Sequence, residues 1–319
     1  MNLTSGTRLG SFEILEIAGS GGMGDVYRAR DVRLDREVAV KTLKGPFNER
    51  FEREARAISA LNHPNICTLH DVGEHDGSGY LVMEFIEGKP IAGPMPLEQA
   101  VTAGIQICDA LHAAHRKGIT HRDLKPANIM VTKSGIKLLD FGLAKLAAGP
   151  GVMAAGSGIS ATQDQATVAV LTGAHTVVGT PQYMAPEQIE GREADARTDI
   201  FAFGCVLYEM LTGQRPFEGA TASSVMAAIL ATRPRPIEEL LPLTPPALER
   251  LVSRCLAKDP EDRWQSARDV SAELQWIAQG GSKVGLPTMV SGRRRLREGL
   301  AWGAFALAAI GMAAFAVAW

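Results

Sequence analysis

His121-Arg122-Asp123-Leu124-Lys125-Pro126-Ala127-Asn128, followed downstream by Asp140-Phe141-Gly142, is the stretch on which the reading of this chain turns. On its N-terminal side, short β-like runs broken by glycines cover Phe12 to Ile17, Asp25 to Arg30, Glu37 to Thr42, Thr68 to Val72 and Tyr80 to Phe85. One helical stretch interrupts them. Phe47, Phe51, Ala55, Ile58 and Leu61 recur at spacings of three and four, which marks one buried stripe, and Glu54 lies on it. From Pro96 the chain turns mostly helical, with Pro96 at a helix start and Gly118 just past the run from Leu97 to Lys117. Thr198 to Leu211 is apolar nearly all round and ends at Gly213, as befits a helix in the centre of a domain. The pattern predicts an α+β chain with two lobes, a small β-rich one first and a larger α-helical one second.

Two features of the first lobe carry chemistry. Gly19-Ser20-Gly21-Gly22-Met23-Gly24-Asp25-Val26 lacks the side chains that keep backbone amides away from a polyphosphate. Alone it reads equally well as a plain β-turn. A dinucleotide fold would need a helix after it, whereas strands follow on both sides, so the cluster is the turn of a hairpin. Val38-Ala39-Val40-Lys41 then puts a lysine in an apolar strand, where an unpaired ammonium is costly to desolvate. A lone strand lysine is more often on the exposed face. Glu54, a carboxylate on a buried stripe that needs a cation just as badly, tips the reading toward an ion pair.

With the His121–Asn128 and Asp140–Gly142 segments added, the chain resembles the eukaryotic-like (Hanks-type) protein kinases, and among them the bacterial transmembrane serine/threonine kinases. The resemblance covers about Phe12 to Trp276, with its motifs in the expected order from Gly19 to Arg263. It implies a protein kinase fold, ATP as cofactor and Mg2+ (or Mn2+) as metal. Gly19, Gly21 and Gly24 would lie over the phosphates, with Ala18, Ser20, Gly22, Met23, Asp25 and Val26 also binding the nucleotide and Lys41, held by Glu54, on the α and β phosphates. Asp140 and Asn128 would hold the metal ions, Asp123 would accept the proton of the attacking hydroxyl, and Lys125 would stabilise the phosphoryl in flight. Ala39, the gatekeeper Met83, and backbone groups of Glu84 and Ile86 would seat the adenine. Lys125 and Thr180, in Gly179-Thr180-Pro181, match residues that mark serine/threonine rather than tyrosine kinases. Glu187, in Ala185-Pro186-Glu187, and Arg263 match a structural pair, and Asp199 matches a brace of the catalytic loop, although Phe201 stands where many relatives have tryptophan.

The resemblance also implies regulation. Arg122 would wait for a phosphate on the activation loop, with Thr172 and Thr176 the candidate autophosphorylation sites and Thr162 and Thr167 further away. The Ala/Gly/Ser-rich stretch from Ala147 to Thr162 lengthens that loop, and no function is assigned to it. Protein substrates bearing Ser or Thr, and a homodimer that phosphorylates itself in trans, are the expected partners.

Composition narrows the alternatives. A formal net charge of -2 across 319 residues gives no basic bias for nucleic acid, and 46% hydrophobic content supplies a sizeable core. Four cysteines without a CxxC pair suggest neither a disulfide framework nor a zinc site. The opening MNLTSGTRLGSFEIL lacks the pattern of a secretory signal. Leu300 to Trp319 carries no charge, and at about 1.5 Å per residue it reaches roughly 30 Å, enough to span a bilayer. Trp302 and Trp319 sit near its ends, and Arg293, Arg294, Arg295 and Arg297 precede it, which places the kinase in the bacterial cytoplasm behind a single-pass anchor in the inner membrane. A hydrophobic soluble helix is the alternative, since alanine dominates the stretch, and Gly299 and Gly303 form a weak GxxxG pair. The expected domains are an extension over 1–11, a kinase domain over 12–276 (lobes about 12–86 and 87–276), a basic juxtamembrane linker over 277–298 and a transmembrane helix over 299–319. A pseudokinase scaffold is disfavoured by the intact Lys41, Glu54, Asp123, Asn128 and Asp140. A small-molecule phosphotransferase is disfavoured by Lys125 and Ala185-Pro186-Glu187.

Overall fold

The computed structural model describes residues 3–21, 24–46, 49–141, 170–172, 175–177 and 181–280. The chain divides into a unit of Met1–Ser282 and one of Lys283–Trp319, and every element below belongs to the first. Among the described residues no helix is long and apolar enough to cross a membrane; the expected span over 299–319 lies outside them.

The first lobe is a six-stranded antiparallel sheet in the order β1-β2-β3-β4-β6-β5, formed by Arg8–Leu9 (β1), Phe12–Gly21 (β2), Gly24–Asp31 (β3), Arg36–Pro46 (β4), Leu69–His75 (β5) and Ser78–Glu84 (β6). Side chains alternate across a strand, so β4 sorts its residues to two faces. Val38 and Val40 join Leu9, Phe12, Ile14, Tyr27, Tyr80 and Val82 in a small core on one face. Lys41, directly opposite Leu81, shares the other face, where Leu43, Leu69 and Leu81 meet Phe51, Ala55 and Ile58 of Glu49–Ser59 (α1). The helical stripe read from the sequence is therefore the face that docks on the sheet. β2 and β3 form the anticipated hairpin, with Gly21 opposite Gly24. Gly24 has φ +145°, and a Cβ there would fall 1.7 Å from the Thr42 carbonyl oxygen, so only glycine fits.

The second lobe is built on helices Leu97–His115 (α2), Pro186–Ile189 (α3), Ala196–Thr212 (α4), Ala222–Ala231 (α5), Ile237–Leu240 (α6), Pro246–Cys255 (α7) and Ala267–Ala278 (α8). α4 is buried nearly all round, as its composition foretold; the Asp195 carboxylate caps its start by accepting from Arg197 N–H, and Gly213 ends it at φ +70°. Lys89–Pro90 (β7), Ile129–Thr132 (β8) and Gly135–Leu138 (β9) form a three-stranded sheet, and its β8–β9 hairpin is flanked in sequence by Asn128, which ends a 3-10 turn, and Asp140, two residues past β9. These strands of two to four residues were missed, because so short a run cannot display a period. Two further short strands, Val170–Thr172 (β10) and His175–Val177 (β11), pair antiparallel.

The Glu187–Arg263 pair is present and fully enclosed. Arg263 Nη1 and Nη2 each donate to one Glu187 carboxylate oxygen at 2.7 Å, and Thr198 Oγ1 donates to the first of them at 2.8 Å. The remaining guanidinium protons reach the carbonyls of Ala257, Lys258 and Arg197. Phe201 lies under the guanidinium with its centroid 5.0 Å from Cζ and supplies a cation–π contact. Burial pushes the Glu187 carboxyl up, and the hydrogen bonds and charge of Arg263 more than reverse this, leaving it below the ordinary value. Arg263→Met strands that carboxylate and is expected to cost about 3–5 kcal/mol in urea denaturation near neutral pH. Because the folded pKa is depressed, the deficit is present above the ordinary glutamate pKa and shrinks as pH falls through the folded value. A change under about 1 kcal/mol would contradict this account of the pair.

Candidate active site

Strands β2, β3, β4 and β6 adjoin at the first-lobe part of the site. The end of β2 and start of β3 bring Ala18, Gly19, Ser20, Gly21, Gly24, Asp25 and Val26 to the hairpin tip, while Gly22 and Met23 lie outside the described residues. Thr42, which the sequence did not single out, pins this hairpin beside its tip: its Oγ1 accepts from Asp25 N–H (3.1 Å) and donates to Asp25 O (3.2 Å). Register pairs Val26 with Lys41 and Ala39 with Met83, so the glycine hairpin, the lysine and the end of β6 adjoin along one sheet. Glu84 ends β6, and Ile86 follows in the half-buried segment leading to the second lobe.

Lys41 Nζ donates to Asp140 Oδ2 at 2.6 Å, with only 7% of the lysine side chain exposed. The expected Lys41–Glu54 pair is not among the ion pairs of the described residues. A buried ammonium takes whichever carboxylate is nearest, and Asp140 meets that need; Glu54 has interactions of its own, and its charge also acts on Arg122. Burial pushes the Asp140 carboxyl up, but the charge and hydrogen bond of Lys41, with help from His121 and Lys125, bring it below the ordinary value. Asp140 therefore stays ionised at neutral pH.

Asp123, Lys125 and Asn128 form a second cluster. Asp123 Oδ2 accepts from Lys125 Nζ (2.8 Å) and from Asn128 Nδ2 (3.2 Å), and the same amide donates to Asp123 O (2.8 Å). Leu139 N–H donates to Asn128 O at 2.9 Å, which ties this loop to the strand entering Asp140. With its amide nitrogen engaged, Asn128 has its Oδ1 left for a cation. Asn128 and Asp140 suit a hard divalent ion that is held by one or two protein oxygens and completed by phosphates; among the described residues no group of three or more His, Cys, Asp or Glu side chains gathers as an all-protein metal cage would require.

Asp199 is wholly buried in the first turn of α4 and holds the loop from below. Its Oδ1 accepts from Arg122 N–H and its Oδ2 from His121 N–H, both at 2.8 Å, and His115 Nε2 lies 2.7 Å from Oδ2. Arg122 (φ +67°) and Asp140 (φ +58°) are both left-handed, a conformation that costs a non-glycine residue free energy and persists where surroundings enforce it. Gln188 adds a further tie, donating to Arg122 O at 3.0 Å. His115 and Gln188 were missed. Neither sits in a pattern that distinguishes it from an ordinary helical polar residue.

Thr172 and Thr176 lie in β10 and β11, where Leu171 faces Thr176 and Thr172 faces His175 across the ladder. Their side chains, along with Gly142, Thr162, Thr167, Thr180 and the 147–162 stretch, fall outside the described residues.

Comparison with known proteins agrees with this geometry. A family profile described as the protein kinase domain matches residues 12–276. The serine/threonine-protein kinase PknB of Mycobacterium leprae is 39% identical over 286 residues, covering 84% of this chain and 43% of that protein. A probable serine/threonine-protein kinase of Corynebacterium efficiens is 38% identical over 289 residues, covering 84% and 41%. The chain thus spans less than half the length of these relatives. Among solved structures, the Mycobacterium tuberculosis PknI kinase domain superposes with a TM-score of 0.65 at 24% identity, over 86% of this chain and 99% of that one, which bears on the fold alone. Rad53 residues 1–466, solved in complex with AMP-PNP, gives 0.66 at 26% identity over 84% and 65%. The chain belongs to the protein kinase family and is homologous within it to the bacterial serine/threonine kinases.

Proposed function

We propose that this protein transfers the γ-phosphate of ATP to serine and threonine hydroxyls of proteins. The observation that carries the reading is the convergence of an ionised Asp140 paired to Lys41 with an Asp123 held by Lys125 and Asn128. Asp123 presents a carboxylate oriented by two donors, the arrangement needed to accept a proton from an incoming hydroxyl. Lys125, already against that carboxylate, supplies positive charge where the phosphoryl group passes, and Lys41 supplies it at the α and β phosphates. Asp140 and Asn128 would hold Mg2+ or Mn2+, which neutralises charge on the β and γ phosphates when bound. The adenine would rest between Ala39 and Met83, against backbone groups of Glu84 and Ile86. Ala18 to Val26 would cover the phosphates, and Glu54 would take up Lys41 as the catalytic arrangement forms. That the structurally similar Rad53 chain was solved in complex with AMP-PNP supports ATP as the nucleotide.

Regulation follows from Arg122. Its guanidinium is half-buried; burial pulls its pKa down, and the surrounding carboxylates of Asp199, Glu54 and Glu193 only partly offset this. A phosphate on Thr172 or Thr176 would add counter-charge beside this guanidinium, so we assign those threonines as autophosphorylation sites, reached in trans within a homodimer. The domain limits proposed are an extension over 1–11, the kinase domain over 12–276, a basic linker over 277–298 and a single membrane span over 299–319 that leaves the kinase in the bacterial cytoplasm. The uncharged run from Leu300 to Trp319 behind four arginines supports this topology.

Two tests follow. Incubated with ATP and magnesium, the wild-type protein is expected to gain phosphothreonine at Thr172 or Thr176 by mass spectrometry. Asp123→Asn is expected to slow this by about 10²- to 10⁴-fold, and equal labelling of both would remove Asp123 from the role of base. In fractionated bacterial cells, the full chain is expected in the membrane pellet and a chain ending at Gly292 in the soluble fraction. A full chain that stays soluble would overturn the anchor.

A further inference from the structure

Glu84 carries a second set of contacts besides the main-chain groups that would read adenine. Its Oε2 accepts from Lys137 Nζ at 2.8 Å and from Thr68 N–H at 3.3 Å. Its own N–H donates to Thr68 O at 2.9 Å, and its carbonyl oxygen lies 3.7 Å from the Cys67 thiol that donates to it. Lys137 belongs to β9, three residues before Asp140. The segment preceding β5 is bound to the same strand: Leu138 N–H donates to Asn65 O (2.9 Å), Cys67 N–H to Leu138 O (2.8 Å) and Asn65 Nδ2 to Ile136 O (2.8 Å). One short strand thus reaches both ends of the nucleotide site. Its end leads into the metal-binding carboxylate, and its lysine grips the residue at the adenine end.

Nothing in the packing requires a lysine there. Ile136 and Leu138 are the residues β9 commits to the core, while Lys137 alternates away from them. Nor is the pair an ordinary surface contact. Only 17% of the Lys137 and 30% of the Glu84 side chain is exposed, so screening by water and salt is incomplete and the geometry is held by a charge-assisted hydrogen bond. It adds a side-chain tie between β6 of the six-stranded sheet and β9 of the three-stranded one, which also meet through the backbone of the segment preceding β5.

We propose that Lys137 is a positioning residue for the nucleotide, holding the Glu84 carboxylate so that the backbone from Glu84 to Ile86 keeps a fixed height above Asp140. This rests on the kinase reading given above. Without Lys137, the adenine-reading backbone can shift relative to the metal-binding carboxylate, and ATP loses contacts at one end or the other. The acceptor protein, which touches neither residue, is unaffected.

The test compares wild type, Lys137→Met, Lys137→Arg, Glu84→Gln and the Lys137→Met/Glu84→Gln double variant of the full chain, each checked for folding by circular dichroism. Lys137→Met is expected to raise the KM for ATP about fivefold while the KM for a generic acceptor protein stays within about twofold. Lys137→Arg, which keeps the charge and a donor, is expected to recover most of the loss. Glu84→Gln should reproduce it, and the double variant should be no worse than either single one, because both remove the same contact. Should Lys137→Met fail to fold, Glu84→Gln with the wild type carries the comparison. A folded Lys137→Met with the wild-type KM for ATP, or equal rises in both KM values, overturns the positioning role while leaving the kinase reading intact. A wild type that transfers no phosphate overturns the kinase reading and this role with it.

Discussion

A single buried carboxylate sets the geometry on which the site depends. Asp199 accepts the main-chain N–H groups of both His121 and Arg122 and lies beside His115. Those bonds hold Arg122 in a left-handed conformation that its own side chain disfavours, and the chain leaves that residue directly into Asp123. A charge with no exposed surface is expensive to bury, and here three donors and the start of α4 compensate it. α4 in turn is the helix the lobe packs around. The direction in which Asp123 points is therefore fixed by the best-buried part of the protein.

The two lobes contribute different parts of the chemistry, and short strands join them. The six-stranded sheet supplies Lys41 and the glycine hairpin, while Asn128 and Asp140 flank the β8–β9 hairpin of the three-stranded sheet in sequence. The Lys41–Asp140 ion pair crosses between them, as does Glu84–Lys137 nearer the end proposed for adenine. Phosphoryl transfer asks a protein for little covalent chemistry and much placement of charge, so links that hold cations and carboxylates at set separations would serve the proposed reaction directly.

Much of this was legible in the sequence, for reasons that differ by element. α1 announced itself because a 3.6-residue period over Phe51, Ala55 and Ile58 survives whatever it packs on, and α4 did so because a helix apolar on every side has one place to go. Lys41 and Asp140 were legible as individuals through the motifs around them, yet their pairing was not: two carboxylates could satisfy one lysine, and the choice is made by lobe geometry. Thr42, His115 and Lys137 gave no signal at all. Each acts through a contact with a residue distant in sequence, and each is of a type that commonly sits on surfaces. β7 to β9 were invisible for another reason, being too short to establish alternation.

The measurement that bears most directly on the account is phosphoamino-acid analysis of a generic acceptor protein after incubation with the full chain, γ-labelled ATP and magnesium. The expected result is label in phosphoserine and phosphothreonine, since Lys125 beside Asp123 and the surrounding motifs describe a site for aliphatic hydroxyls. Label confined to phosphotyrosine, or no transfer by a folded protein that binds ATP, would contradict it.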